Sequence, residues 1–215
     1  MQAPARRPRG RAVDHRLGVA GRDARRAHRL LAAIESAADT VQGWQPLLIP
    51  GALQSYAYAC EAIRSTSPAL PLETVGERAD VRRRRIDQLG AAAEFIVDEG
   101  ALYRPVGGYA ALVDQLEHLL AVEALQPRLT LRILPQGIEA HPGLAGPFTL
   151  YRAAGQRAAF VESLTSSEIT TRPDDVAAYA SAWERLEGLA LSPRESLDLI
   201  DATRGTLCRR LKTSP

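Results

Sequence analysis

Asp98 and Glu99 stand side by side at the end of an apolar run, and Glu162 closes another. Carboxylates that meet at one edge of a sheet can share proton-transfer work, or hold a cation or an amine. The structural alternative is ion pairing with Arg104 or Arg85. His141 lies in the segment Glu139-Ala-His-Pro-Gly-Leu-Ala-Gly-Pro147, just before an apolar run. A loop there can cover a pocket or simply stabilise a turn. Gly107 and Gly108 precede a helix, so they can offer backbone N–H groups to an anion, or merely make the turn. If the chain is an enzyme, its acid–base candidates are Asp98, Glu99, Tyr103, His141 and Glu162. A serine hydrolase lacks support, because no Gly-x-Ser-x-Gly elbow occurs. His15 and His28 lie in or near the N-terminal arm, and His118 sits beside Leu119 on a helix. Cys60 and Cys208 lack metal-ligand spacing, and no zinc or phosphate-loop motif is present, so neither metal nor cofactor is expected. Trp44 and Trp183 are expected to pack.

These residues need elements to position them. Apolar positions from Ala24 to Val41 recur every three or four residues, as do those of Leu53 to about Ser65, Leu72 to Leu89, Tyr109 to Glu123 and Asp174 to Leu189. That period predicts helices. Gly43-Trp44-Gln45-Pro46 ends the first. Ser192-Pro193-Arg194-Glu195 reads as a capping box with Pro at the first helical position, opening a helix to about Thr203. Short β-branched or alternating runs at Glu94–Asp98, Leu129–Leu134, Phe148–Tyr151 and Ala158–Glu162 predict strands, the last two joined by a turn at Gly155. The class expected is α+β: a small antiparallel sheet of about four strands packed with about six helices.

The chain has 215 residues, 46% hydrophobic and 24% charged, which suits a single soluble globular domain with or without an arm. No apolar run is long enough to cross a membrane, and the arginines near the N-terminus interrupt any secretory core. Two cysteines make no disulfide framework, so a cytoplasmic setting is the default. Of the 27 basic residues only Lys212 is lysine. GC-rich codon usage explains that bias; many bidentate anion contacts are the functional alternative. Residues 1–29 carry nine arginines against Asp14 and Asp23, a net +7, so the remainder of the +2 chain is −5. The organisation expected is a basic, disordered arm over 1–25, a binding domain over 26–204 and a flexible basic tail over 205–215. The arm has no interleaved aromatic residue for base stacking. If it does hold nucleic acid, it does so by neutralising phosphates.

Six stretches in order resemble one known family. They are Trp44–Ala59 (WQPLLIPGALQSYAYA), Asp98–Gly108 (DEGALYRPVGG), Gln115–Leu120, Ile133-Leu-Pro135, His141–Phe148 and Ala190–Ser196. Together, over about residues 26–204, they are similar to the C-terminal domain of unknown function of actinobacterial, antitoxin-like, Xre-family transcriptional regulators. The family usually carries a helix-turn-helix before this domain, whereas residues 1–25 are too few and too rich in Arg, Pro and Gly to form one. Arg85-Ile86 and Tyr103-Arg104 stand where the family has Arg-Gln and Arg-Arg. The resemblance implies a signal-receiving domain that binds a small molecule or a small regulatory protein, with homo-oligomerisation open and direct DNA binding not expected. A pocket between the sheet and the Gly107-Gly108 helix would draw on Glu99, Tyr103, Arg104, Gly107, Gly108, Gln115, His141, Phe148 and Glu162. The alternative is an enzyme of natural-product biosynthesis, a cyclase or isomerase, using the acid–base candidates in a shaped apolar pocket.

Overall fold

The computed structural model describes residues 16–20, 33–88, 92–163 and 166–213, with backbone alone at 16–20 and 86–88. Among the described residues seven strands form one sheet: β1 (Arg16–Ala20), β2 (Thr40–Gln45), β3 (Ala92–Asp98), β4 (Leu129–Leu134), β5 (Phe148–Ala153), β6 (Gln156–Glu162) and β7 (Ser166–Thr170). Their order is β1-β7-β6-β5-β2-β3-β4. The described helices are α1 (33–37), α2 (Tyr56–Thr66), α3 (Leu72–Gln88), α4 (Gly108–Leu125), α5 (Pro173–Leu189) and α6 (Pro193–Thr213).

The α+β class holds, but the expected small antiparallel sheet of about four strands is overturned. The sheet is mixed: β2, β3 and β4 run parallel, while β5, β6, β7 and β1 add antiparallel neighbours. The reason lies in the connections. The β2–β3 link contains α2 and α3, and the β3–β4 link contains α4. A helical crossover returns the chain to the same end of the sheet and makes neighbouring strands parallel. The strand β2 was hidden because Thr-Val-Gln-Gly-Trp-Gln reads as the end of the preceding helix and a Gly break. It is a central strand, held on one side by β3 and on the other by β5. Ser166–Thr170 is polar and short, and its strand character comes from pairing with β6 and β1.

Both faces of the sheet are covered. On one face Val41, Phe95, Val97, Leu131, Ile133 and Tyr151 pack with Tyr58 and Ala62 of α2, Leu112, Leu116 and Leu119 of α4, and Ile200 and Leu207 of α6. On the other, Trp44, Ile96, Leu134, Phe148, Leu150 and Ala159 pack with Trp183 and Leu186 of α5. Each fully buried Leu or Ile contributes about 1.5–3 kcal/mol by removal from water. The two-residue alternation of the strands sorts the side chains between the faces. A third cluster, Ala59, Ile63, Val75 and Ala79, joins α2 to α3.

The helix ends follow local chemistry. At α6, Ser192 Oγ accepts from Glu195 N (3.3 Å), and Glu195 Oε2 accepts from Ser192 N (2.9 Å), the expected capping box. This helix passes the expected end near Thr203 and runs to Thr213. Ile200, Thr203 and Leu207 keep the same buried stripe, and the Arg210 guanidinium lies 4.5 Å above the Tyr109 ring. On β4, which ends the sheet, the Ile133 N–H donates to Ser196 Oγ at 2.9 Å, and the Ile133 carbonyl accepts from Leu191 N at 2.9 Å. Those contacts cover part of an edge that would otherwise offer free pairing groups. No described helix is long and apolar enough to cross a membrane.

Candidate ligand-binding cleft

The chain leaves β2 through Pro46 and makes a short 3-10 turn at Gly51–Leu53 before α2. Two prolines keep this segment extended, and buried polar side chains anchor it. Gln115 on α4 is wholly buried; its Oε1 accepts from Ser55 N at 2.7 Å and its Nε2 donates to Leu53 O at 2.8 Å. Gln54 is 2% exposed and donates from Nε2 to Ile49 O at 2.8 Å. Arg104 Nε donates to Leu47 O at 3.0 Å.

Between this segment, α1, α3 and the sheet lies a cleft of about 390 Å³. Its floor is apolar and aromatic: Val41, Phe95, Tyr151 and Phe160 come from four adjacent strands. Gly43 makes that floor possible, since a Cβ there would sit 2.7 Å from the Phe95 ring. Leu48, Ile49, Ala52 and Val81 form the walls.

Polar groups converge at one side. Arg82 and Arg85, three residues apart, share one face of α3. Arg82 Nη1 donates to Gln54 Oε1 at 2.8 Å. Burial above all, then the adjacent Arg85, lowers the proton affinity of Arg82, and Glu162 opposes the effect. The guanidinium still stays charged. Arg85 Nε lies 3.6 Å from Glu35 Oε2, and Tyr151 Oη donates to Glu35 Oε1 at 3.2 Å. Burial, then the Glu35 charge, pushes the Tyr151 hydroxyl far above the ordinary tyrosine range. The result is an apolar slot with a guanidinium on its wall, a geometry that suits an amphipathic small molecule.

Residues 28–202 match a family described as a domain of unknown function, DUF5753. The chain belongs to this family. Comparison with curated proteins gives no match. Among solved structures, the DUF5753 chain is similar to TrmBL2, an archaeal chromatin protein, at 11% identity and a TM-score of 0.35, covering 84% of this chain and 56% of that one. It therefore spans just over half the length of that protein. It is also similar to Nuc, a phospholipase D family member from Salmonella typhimurium, at 9% identity and a TM-score of 0.41, covering 82% and 96%. Likenesses this low carry no argument about activity.

The DUF5753 fold scatters the residues singled out by sequence. Asp98 accepts from Gly100 N at 2.8 Å and caps a 3-10 turn. Glu99 accepts from Tyr103 Oη at 3.1 Å and from Gln136 N at 2.7 Å. Glu162 ends β6, with β5 and β2 between it and β3, so three strand spacings, about 14 Å, separate it from Asp98. It rims the cleft instead. His141 meets Trp44 edge-on, with ring centroids 5.8 Å apart, and Phe148 packs against Tyr179 on the opposite face from the cleft. Gly107 has a positive φ of 77° at the start of α4, and a Cβ there would strike Glu61 at 2.8 Å. Gly108 follows it as the first residue of α4. Gln115 and Arg104 hold the segment whose far side lines the cleft. Among the described residues no three His, Cys, Asp or Glu side chains gather as metal ligands would.

Glu35, Gln54, Arg82 and Tyr151 were not singled out. The signal for Arg82 and Arg85 was present in the run Arg82–Arg85, where helical spacing puts the first and last on one face. Nothing local says which face meets the sheet. The arm's arginines at 1–15 and 21–32, with His15 and His28, lie outside the described residues.

Proposed function

We propose that this DUF5753 domain is a ligand-receiving module that holds a small molecule in the cleft between α3 and the sheet. The observation that carries the reading is the cleft itself: an apolar floor spanning four strands, with anchored polar groups on one wall. Two further features support it. The six stretches similar to the C-terminal domain of Xre-family, antitoxin-like regulators include Trp44–Ala59, which supplies one cleft wall. Gln115 and Arg104, from two of the other stretches' helix and loop, brace that wall. In this reading the domain acts in the cytoplasm as the signal-receiving part of a regulatory system, where the free thiols Cys60 and Cys208 stay reduced.

The test is thermal-shift screening of the folded chain against a library of metabolite-sized compounds, repeated on Val81→Trp. Val81 lines the cleft from an exposed position, so the larger side chain fills space without disturbing the core. Compounds that raise the melting temperature of the wild type should lose that effect in Val81→Trp. Equal stabilisation of both proteins places binding elsewhere and defeats the reading.

A further inference from the structure

We infer that the ligand of the cleft is an organic acid, an apolar body carrying one carboxylate or phosphate-type oxyanion, with Arg82 as its counter-ion. This rests on the cleft being the ligand site.

The argument starts from the cost of a desolvated charge. Arg82 is partly buried in the cleft wall, and a desolvated cation without a matching anion is expensive. Among the described residues its hydrogen-bond partner is the neutral Gln54 Oε1, and it forms no ion pair. Arg85, one turn along, is engaged by Glu35. The fold nevertheless fixes Arg82 in place. Gln54 is itself buried and pinned to Ile49 O, so it aims one nitrogen of the guanidinium. The aliphatic stem of Arg82 lies about where a Gly51 Cβ would touch it, at 3.8 Å. One nitrogen of the planar fork is thereby held, and Arg82 lines the cleft. A carboxylate or phosphate matches that fork in shape and charge.

The rest of the cleft selects the body. Phe95, Tyr151 and Phe160 present ring surface, and Leu48, Ile49 and Val81 close around it. Glu162 stands exposed on the rim, on the side of Arg82, and opposes a second negative charge. A single acidic head on an apolar body is the chemistry that satisfies all of these groups.

The experiment is isothermal titration of the folded full chain with 2-naphthol, 2-naphthoate and 2-naphthyl phosphate, which share one ring system and differ in the head. Wild type should bind at least one acid about tenfold more tightly than 2-naphthol, the scale of a charge-assisted hydrogen bond in a partly buried site. The better of the two acids identifies the oxyanion. Arg82→Gln should bring acid affinity down to that of 2-naphthol and leave 2-naphthol unchanged, with Arg82→Lys between. Glu162→Gln should tighten the acids roughly twofold or more, because it removes a like charge at the rim. Opposite responses to these two substitutions are not expected from a structural role. Acids that bind no better than 2-naphthol, or an Arg82→Gln protein with undiminished acid affinity, overturn the inference while leaving the cleft reading intact. If none of the probes binds, or if Val81→Trp leaves 2-naphthol binding unaffected, the cleft reading itself falls and the acid falls with it.

Discussion

Trp44 and Gly143, 99 positions apart, pack as one unit. The indole Nε1 donates to the Gly143 carbonyl at 2.9 Å, and a Cβ on Gly143 would lie 2.6 Å from the Trp44 ring. This contact pins the 3-10 turn Pro142–Ala145 onto β2, on the face opposite the cleft, and seats His141 against the same ring. Strand β2 thus has an aromatic anchor behind it and the cleft floor in front.

Gly143→Ala should therefore destabilise the fold by about 1–3 kcal/mol, the range for forcing a methyl into packed surroundings. Gly188, in α5, has open space where its Cβ would be, and Gly188→Ala should be neutral or stabilising by up to about 1 kcal/mol. Urea midpoints of the two variants against wild type check the contrast. Similar midpoints for both would contradict the packing account.

Gln115 satisfies two buried backbone groups of the loop before α2. Gln115→Leu keeps the volume but strands the Ser55 N–H and the Leu53 carbonyl. It should cost about 2–4 kcal/mol, since each unsatisfied buried group costs about 1–3 kcal/mol. The same substitution should lower ligand-induced stabilisation, because the loop it holds lines the cleft. Thermal melts with and without ligand separate the two effects.

Stability should fall at alkaline pH through Tyr151. Its folded pKa is raised, chiefly by burial and then by Glu35. The unfolded chain ionises it near pH 10. Its contribution is therefore fully present below about pH 10 and is lost as pH rises above that value. Tyr151→Phe should flatten the decline of the urea midpoint between neutral pH and about pH 11. A wild-type decline that survives unchanged in Tyr151→Phe would assign the effect elsewhere, with the similarly raised Tyr58 as the next group to replace.

At the acid end the capping box gives the opposite sign. The hydroxyl and then the backbone N–H of Ser192 hold the Glu195 pKa below the usual range. That stabilisation is present above the unfolded value, about 4.3, and is lost as pH falls through the folded one. Ser192→Ala should reduce the acid dependence of the midpoint. An unchanged acid limb would show that the box adds nothing measurable.

The last turns of α6 carry a further expectation. Leu207 is buried in the larger cluster, so Leu207→Ala should cost about 2–4 kcal/mol. Arg210→Ala removes a cation from above Tyr109 and should cost about 0.5–1 kcal/mol. Denaturant melts decide whether residues beyond Thr203 belong to the folded unit.

Much of the local structure was legible. The helices α2 to α5, the strand β4 and the box at Ser192 follow from apolar period, β-branched runs and cap chemistry, which depend on residues a few positions apart. The illegible parts depended on distant partners. Thr40–Gln45 has weak strand character of its own, and it becomes an interior strand of the sheet because β3 and β5 supply its hydrogen bonds.

The candidate site divides along the same line. The sequence by itself determined which segments carry acids, glycines and arginines, and that Arg82 and Arg85 share a helix face. Only the tertiary structure decided that Asp98 and Glu99 would serve as local acceptors, that Glu162 would rim a different cavity, and that Gln54 would meet Arg82 across 28 positions. The physical reason is range. Helical and strand periods are short-range facts, whereas a cleft is a sum of contacts between elements whose pairing is settled by burial and hydrogen bonding over the whole chain.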